Sequence, residues 1–344
     1  MAGPHPAVAA IRLAVRGALA GLPPGDVVLA ACSGGADSLA LAAALAFEGP
    51  RRGLRPGGVT VDHGLQPGSA EQAGRVTAVL AGLGLDPVRA VRVHVARPGG
   101  TGYPGPEAAA RAARYAALAE IAPAPAAILL GHTLDDQAET VLLGLARGSG
   151  ARALAGMAPV SGRYRRPLLG IRRAQTRAAC AALALTPWED PHNSDPAFAR
   201  VRVRTALLPA LEEQLGPGVA EALARTAGQL RADADALDEL AAATAQRIAD
   251  GEPGLPAGAL AAQPPAVRSR LLRAAALAAG APAGALSHQH VTQMEALVTG
   301  WHGQRGVDLP GGIRCQRRYD RLIFAVAGPR TRAPGAIGEL SGRD

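Results

Sequence analysis

Residues 32–38 read Cys-Ser-Gly-Gly-Ala-Asp-Ser and lie between the apolar run Val27 to Ala31 and the alanine-leucine segment Leu39 to Phe47. The run has the composition of a buried strand and the segment that of a helix. The heptapeptide is therefore a tight glycine turn from the carboxyl end of a strand into the first turn of a helix. Backbone N–H groups at Gly34, Gly35 and the first helical turn face outward there, with the positive end of the helix behind them and the Ser33 and Ser38 hydroxyls beside them. Such a turn is an anion site whose natural occupant is a phosphate or pyrophosphate. It is not a Walker A loop, which needs a lysine to reach the outer phosphates. The chain contains no lysine, since all 36 basic residues are arginine, and this excludes a lysyl-nucleotide intermediate and Schiff-base chemistry. The bland alternative is an ordinary connection in which Asp37 merely favours the helix N-terminus.

Strand-like and helix-like runs alternate through the first half of the chain. After the loop helix come a strand at 58–62, a helix at about 69–83, a strand at 88–95, a Pro/Gly-rich loop at 97–106, a helix at 107–121, a strand at 126–130 and a helix at 134–147. That order predicts an α/β fold with a parallel, doubly wound sheet. Ligands bind such sheets at the carboxyl ends of strands, where the 32–38 loop, the Asp62-His63-Gly64 turn and the Gly131-His132 turn gather. Ile11, Val15 and Leu19 recur at helical spacing and predict a packed N-terminal helix, not a signal peptide. The reading divides the chain into an N-terminal domain, 1–215, a mainly helical region, 216–327, and a disordered tail, 328–344. In the second region, Leu223, Leu230, Leu237 and Leu240 mark one face of a long helix from about 219 to 249, and alternation between Trp301 and Phe324 predicts a hairpin or two.

No apolar run is long enough to span a bilayer. Three isolated cysteines, Cys32, Cys180 and Cys315, fit a reducing compartment and argue against a cysteine-held cluster, so a cytoplasmic location is expected. A formal charge of +8 and a pI near 10.5 point to an anionic partner larger than a nucleotide, with a polynucleotide first. A coding bias toward arginine, alanine, glycine and proline is the alternative. With 3% aromatic residues, binding is expected to rest on arginine and phosphate, not on stacking.

The densest polar cluster is Gly131-His132-Thr133-Leu134-Asp135-Asp136-Gln137-Ala138-Glu139-Thr140. On a helix, positions 132, 135, 136 and 139 share a face, so an imidazole and three carboxylates meet in one volume. Adjacent acids need a positive partner, and Mg²⁺ carrying ATP phosphates is the expected one. An N-terminal cap accounts for Asp135 but less well for His132 and Glu139 together. Arg200, Arg202 and Arg204 stand at alternate positions, and in an extended segment they would face one side and follow a phosphate backbone. Trp188 is expected in the core.

Several motifs together resemble the tRNA(Ile)-lysidine synthases of the ATP-pyrophosphatase (PP-loop) superfamily. They are S-G-G-A-D-S at 33–38, V-D-H-G-L at 61–65, E-A-A-A-R-A-A-R-Y at 107–115, G-H-T-L-D-D-Q-A-E-T at 131–140, R-G-S-G at 147–150, R-P-L-L at 166–169 and W-E-D-P-H-N-S-D at 188–195. The resemblance runs over roughly 25–215 and weakens beyond. It implies a Rossmann-like domain that uses ATP to adenylate the C2 oxygen of the wobble cytidine of a tRNA(Ile) with a CAU anticodon, after which free lysine displaces AMP.

On that resemblance Ser33, Gly34, Gly35, Ala36, Asp37, Ser38, Asp62 and His63 bind ATP, and Asp37 and Asp136 hold Mg²⁺. Arg111, Arg114 and His132, with Asp37 and Asp136, serve the reaction. Glu139 and Asp190, with Asp136, are the acids available for the lysine ammonium. Arg200, Arg202 and Arg204 bind tRNA, although arginine-asparagine is usual where Arg200-Val201 stand. A tRNA 2-thiolation enzyme shares the loop but usually needs paired cysteines, and a non-catalytic RNA-binding protein would not need the intact loop. An amidotransferase-type synthetase is the weakest fit, since no glutaminase half is visible. The oligomeric state stays open, a homodimer among the options.

Overall fold

The computed structural model describes residues 3–64, 68–93, 106–121, 125–148, 150–190, 194–304 and 306–326. The loop at 97–105 and the expected tail at 328–344 lie outside them. The chain forms two compact units, Met1–Arg231 and Ala232–Asp344.

The first unit is built on the expected parallel sheet. Its strands are β1 (Val27–Ala31), β2 (Arg55–Asp62), β3 (Val88–Arg92), β4 (Ala127–Leu130), β5 (Val160–Ser161) and β6 (Tyr164–Arg165), in the order β3-β2-β1-β4-β6-β5. All neighbours pair in parallel except β5 with β6. Helices α1 (Pro6–Ala18), α2 (Ala36–Glu48), α3 (Ser69–Gly82), α4 (Pro106–Glu120) and α5 (Leu134–Ala146) follow in the anticipated alternation. The short α6 (Ala151–Leu154) and then α7 (Arg173–Ala182), which the sequence reading did not single out, complete the α/β part.

Period-two alternation divides the apolar residues between the two faces of the sheet. Val28, Ala30 and Leu129 join one core with Ile11, Val15 and Leu19, with Leu41 and Leu45 of α2, and with Ala179 and Cys180 of α7. Leu29, Val59, Ile128 and Leu130 join the other with Leu118 and Ile121. Ile11, Val15 and Leu19 are 0–1% exposed, which is worth about 1.5–3 kcal/mol for each side chain and explains why α1 forms as its spacing predicted. Both faces are covered, so the free rim is the carboxyl end of the strands.

Helix α8 (Ala199–Arg202), a π turn (Val203–Leu207) and α9 (Leu208–Leu215) run on as one helical stretch. The 199–207 segment is therefore helical where an extended conformation was expected, and Arg200, Arg202 and Arg204 do not face one way. Pro209 lacks the N–H that would continue a regular α-helical ladder, and the π turn lies just before it.

The long helix α10 (Val219–Ile248) opens after the Gly216-Pro217-Gly218 break. Its buried stripe is alanine, at 220, 227, 234 and 241, and not the leucines; Leu240 is 48% exposed. The second unit continues with β7 (Leu255–Pro256), α11 (Ala257–Ala261), α12 (Pro265–Ala278) and α13 (His288–Thr299). A four-stranded antiparallel sheet, β7-β10-β9-β8, is completed by β8 (Val307–Leu309), β9 (Ile313–Arg318) and β10 (Arg321–Val326). No helix among the described residues is long and apolar enough to cross a membrane.

Arg321 fastens β10 to the turn before β7. Its Nη1 and Nη2 donate to Asp250 at 2.6 and 2.8 Å, and its Nε donates to the Pro253 carbonyl at 3.0 Å. That bidentate contact holds the Asp250 carboxyl down from 3.8 to about 2. A depressed carboxylate contributes stability above its unfolded value, and the contribution is lost as pH falls through the folded value. Asp250→Asn should therefore melt below the wild type at pH 7, with the gap closing between pH 3.8 and about 2. Thermal unfolding across that range is the measurement, and a gap that persisted at the acid end would exclude the ion pair as its cause.

Candidate active site

The loop is shaped by its own backbone. Gly34 has φ +89°, and a Cβ there would come within 2.9 Å of Val76 Cγ2 and 3.1 Å of Gln72 Nε2; only glycine fits. Its carbonyl accepts the Trp188 N–H at 2.9 Å. Gly35 begins α2 with no side-chain cap, which leaves the first-turn N–H groups of Ala36 and Asp37 available to an anion. Ser33 is exposed and Ser38 is buried. The Ser38 hydroxyl donates to the Gly35 carbonyl at 2.9 Å and accepts the Ser33 N–H at 3.2 Å, so it braces the turn, where a phosphate donor was expected. The β4–α5 turn approaches closely: a Cβ on Gly131 would lie 3.2 Å from the Ser38 nitrogen.

Asp37 does not cap its own helix. It reaches across to α7, where the Thr176 hydroxyl donates to Oδ1 and Arg173 Nε donates to Oδ2 at 3.4 Å. Burial raises its carboxyl above the ordinary range, with Asp136 adding to the rise and Thr176 and Arg173 opposing it. Asp136 is the N3 residue of a capping box, with Oδ2 accepting the Thr133 N–H at 2.8 Å and the Thr133 hydroxyl at 2.9 Å. Its Oδ1 accepts Arg173 Nη2 at 2.8 Å and Arg204 Nη2 at 3.3 Å. Burial opposes its charge, but Arg173, Thr133 and further cations outweigh burial and hold the carboxyl low.

The positive partner anticipated for this cluster is supplied by arginine. Glu139, fully buried, accepts Arg204 Nε at 2.7 Å and Nη2 at 3.0 Å and Arg173 Nη1 at 3.4 Å, with Arg200 Nη1 at 3.8 Å. Arg200 and Arg204 are thus one helical turn apart and turned inward, whereas Arg202 is exposed and bonds the carbonyls of Pro196 and Ala197 at 2.6 and 2.9 Å. Asp135 points elsewhere, accepting the Arg173 backbone N–H at 2.7 Å and facing Arg172 at 3.3 Å.

Arg173 is the residue the motifs missed. One sequence signal was available: Arg172 and Arg173 stand at the start of a helix, where the dipole disfavours cations, so acids must hold them there. Thr176, one turn on, carries no such sign.

Other singled-out residues, Arg111 excepted, border the same volume. His132 Nδ1 and His63 Nδ1 are buried without a hydrogen-bond partner. Burial and then the Arg114, Arg111 and Arg166 charges lower the His132 imidazole to about 3, against the pull of Asp136. It is a neutral ring at any working pH. Burial followed by Arg114 likewise lowers His63.

Asp62 is buried, and its Oδ1 accepts the Gly64 N–H at 2.9 Å, folding the end of β2. Arg111 is exposed, lies 5.0 Å over the Tyr115 ring and donates to its hydroxyl at 3.3 Å. Arg114 and Asp190 line the cleft. Trp188 lines it too, half-buried, and is not the core residue expected. Burial and then the Asp37 charge lift the Cys180 thiol to about 11, and burial raises Cys32, so the surroundings of both disfavour a thiolate.

Together these groups enclose a cleft of about 990 Å³ at the carboxyl ends of β1, β2 and β4, lined by the 32–38 loop, Asp62, His63, Arg114, His132, Asp136 and Arg173. A second cavity of about 510 Å³ adjoins it, lined by Asp135, Glu139, Arg172, Leu208 and Glu212, and Arg173, Arg177 and Arg204 line both. The larger is of nucleotide size.

Comparison with known proteins agrees with this geometry. A PP-loop domain model matches residues 17–211 and a TilS substrate binding domain model matches 255–323. The tRNA(Ile)-lysidine synthase of Thermobifida fusca is 58% identical, covering 95% of this chain and 100% of that protein. That of Streptomyces coelicolor is 55% identical over 94% of this chain and 99% of its own, and that of Mycobacterium bovis 50% over 83% and 85%. Among solved structures, the U34-tRNA thiolase NcsA of Methanococcus maripaludis matches with a TM-score of 0.52 at 18% identity, covering 65% of this chain and 79% of that one, a likeness of fold alone. With the PP-loop turn, its opposed acid–arginine cluster and relatives matched across nearly their whole length, the chain belongs to the tRNA(Ile)-lysidine synthase family.

Proposed function

We propose that the chain adenylates the C2 oxygen of the wobble cytidine of tRNA(Ile) with ATP, releasing pyrophosphate, and joins the ε-amine of free lysine at C2, releasing AMP. The observation that carries this reading is the meeting of the 33–38 turn with Asp37, Asp136 and His132 in one nucleotide-sized cleft. Open N–H groups of the turn receive the phosphates. Arg114 and the neutral His132 border the space for the acceptor base, where a charged imidazolium would be repelled by the surrounding arginines.

Mg²⁺ belongs to the proposal. Asp37 and Asp136 lie on either side of Arg173 and repel each other, and among the described residues no third acid, histidine or cysteine joins them as a ligand set. Two hard carboxylates bordering a phosphate cleft suit an ion that takes its other ligands from phosphate and water and displaces Arg173, whose guanidinium binds both of them here. Asp37 and Asp136 would hold it, and it would neutralise charge developing on the pyrophosphate. Asp190, which lines the larger cleft, is assigned to the lysine ammonium, whereas Glu139 lies buried beneath Arg204, Arg173 and Arg200 and serves to order them. Arg202 is the one of the three alternate arginines that faces solvent and is assigned to the tRNA, while Arg200 and Arg204 order the acids. Three single cysteines with no Cys-x-x-Cys spacing weigh against thiolation. The site is assigned to the cytoplasm, where tRNA and ATP are found.

The test is release of AMP and pyrophosphate by the purified chain with tRNA(Ile), ATP and lysine. AMP should appear only when all three are present. Equal release with lysine omitted, accompanied by sulfur incorporation, would favour a thiolation enzyme and sink the proposal.

A further inference from the structure

We infer that Tyr319 and Trp301 form an aromatic stacking site for bases of the RNA substrate, an inference that rests on the tRNA-modifying function proposed above. The chain has nine aromatic residues, from 2 Trp, 4 Tyr and 3 Phe, too few to suggest stacking from composition. Among the described residues, Trp301 and Tyr319 are the two aromatic side chains that stand exposed, at 43% and 93%. Isolated exposed rings are common and decide nothing alone.

Three further observations join these two. First, Tyr319 forms the tip of the β9–β10 hairpin at φ +53°. Glycine, asparagine or aspartate reaches that conformation at less cost, and an outlier of this kind points to use of the side chain. Second, Arg317 joins the Trp301 ring to the backbone of the hairpin tip. Its guanidinium lies 4.8 Å over Trp301, its Nε donates to the Tyr319 carbonyl at 3.3 Å, and its Nη1 is fixed on the Leu297 and Val298 carbonyls at 3.0 and 3.2 Å. Third, Arg318 at the same tip bonds Gln316 Oε1 at 3.3 Å and, among the described residues, meets no carboxylate within 4.0 Å. Two exposed rings beside a cation suit unpaired or terminal bases with their phosphate, because every base has a π face. The net charge of +8 favours RNA over a protein partner. Both residues fall within the segment matched by the substrate binding domain model.

Tyr319→Ala and Trp301→Ala should each weaken tRNA(Ile) binding by about five- to hundredfold, leaving kcat at saturating tRNA and the KM for ATP and lysine unchanged. Tyr319→Phe keeps the ring face and should bind as the wild type does. Tyr319→Gly removes the ring but suits the backbone, so it should melt at or above the wild-type temperature while binding tRNA as weakly as Tyr319→Ala. Lysine-dependent AMP release by the wild type checks the underlying function in the same preparation. If the wild type is active and Tyr319→Gly binds tRNA with undiminished affinity, the stacking site is overturned and the function stands; the exposed rings would then belong to a protein contact.

Discussion

Asp37→Ala should abolish pyrophosphate release while leaving the unfolding temperature close to that of the wild type. Two readings of this residue differ in magnitude. As a partner of its helix dipole, Asp37 would contribute about 0.3–1 kcal/mol to stability and nothing to chemistry. As a group placed against developing charge, its loss would cost about 2.7–4 kcal/mol of barrier, or roughly 10²–10³ in rate. The geometry favours the second. The carboxylate turns from its own helix to Thr176 and Arg173, 139 and 136 residues away in sequence, and faces the cleft. Burial raises its carboxyl, which is unfavourable for a group kept only for stability. Asp37→Asn preserves shape and one acceptor, so it separates charge from packing. ATP–pyrophosphate exchange with tRNA present is the measurement, and either variant retaining more than about a tenth of wild-type exchange would remove the carboxylate from the reaction.

Much of the fold was readable because its signals are local. Val27 to Ala31 and Ala127 to Leu130 are apolar runs closed by glycine turns, and the helices between strands show their faces in spacing. The loop and the 131–140 cluster were readable for the same reason, each being a contiguous motif. What escaped was non-local or ambiguous in period. Arginines at 200, 202 and 204 fit an extended segment, but 200 and 204 equally fit one helical turn, and the chain takes the helix with a π turn just before Pro209. Thr176 and Arg173 act through residues on α2 and α5 that only the folded sheet brings near. The alanines of α10 were hidden in a chain rich in alanine, where a seven-residue repeat draws less notice than leucine.

Glu139→Gln should destabilise the first unit and stop adenylation, though the residue need not touch ATP. Its carboxylate is fully buried beneath Arg204, Arg173 and Arg200. An amide keeps one acceptor but turns an N–H₂ donor toward guanidinium donors and removes the balancing charge. Breaking a buried pair on one side costs about 3–5 kcal/mol. The arginines are 18–26% exposed, so the lower end applies, corresponding to roughly 6–12 °C in a unit of this size. Arg173 also holds Asp37 and Asp136, so its displacement would carry the loss to the phosphate side of the cleft. The decisive comparison is a double-mutant cycle. Glu139→Met with Arg204→Met replaces the pair by apolar side chains, and its destabilisation should fall short of the sum of the single changes by about 0.5–3 kcal/mol. Activity should stay lost in all three variants, because restored stability does not restore the field that orders Asp136. Additive unfolding energies, or activity recovered in the double variant, would mean that Glu139 acts independently of the arginines around it.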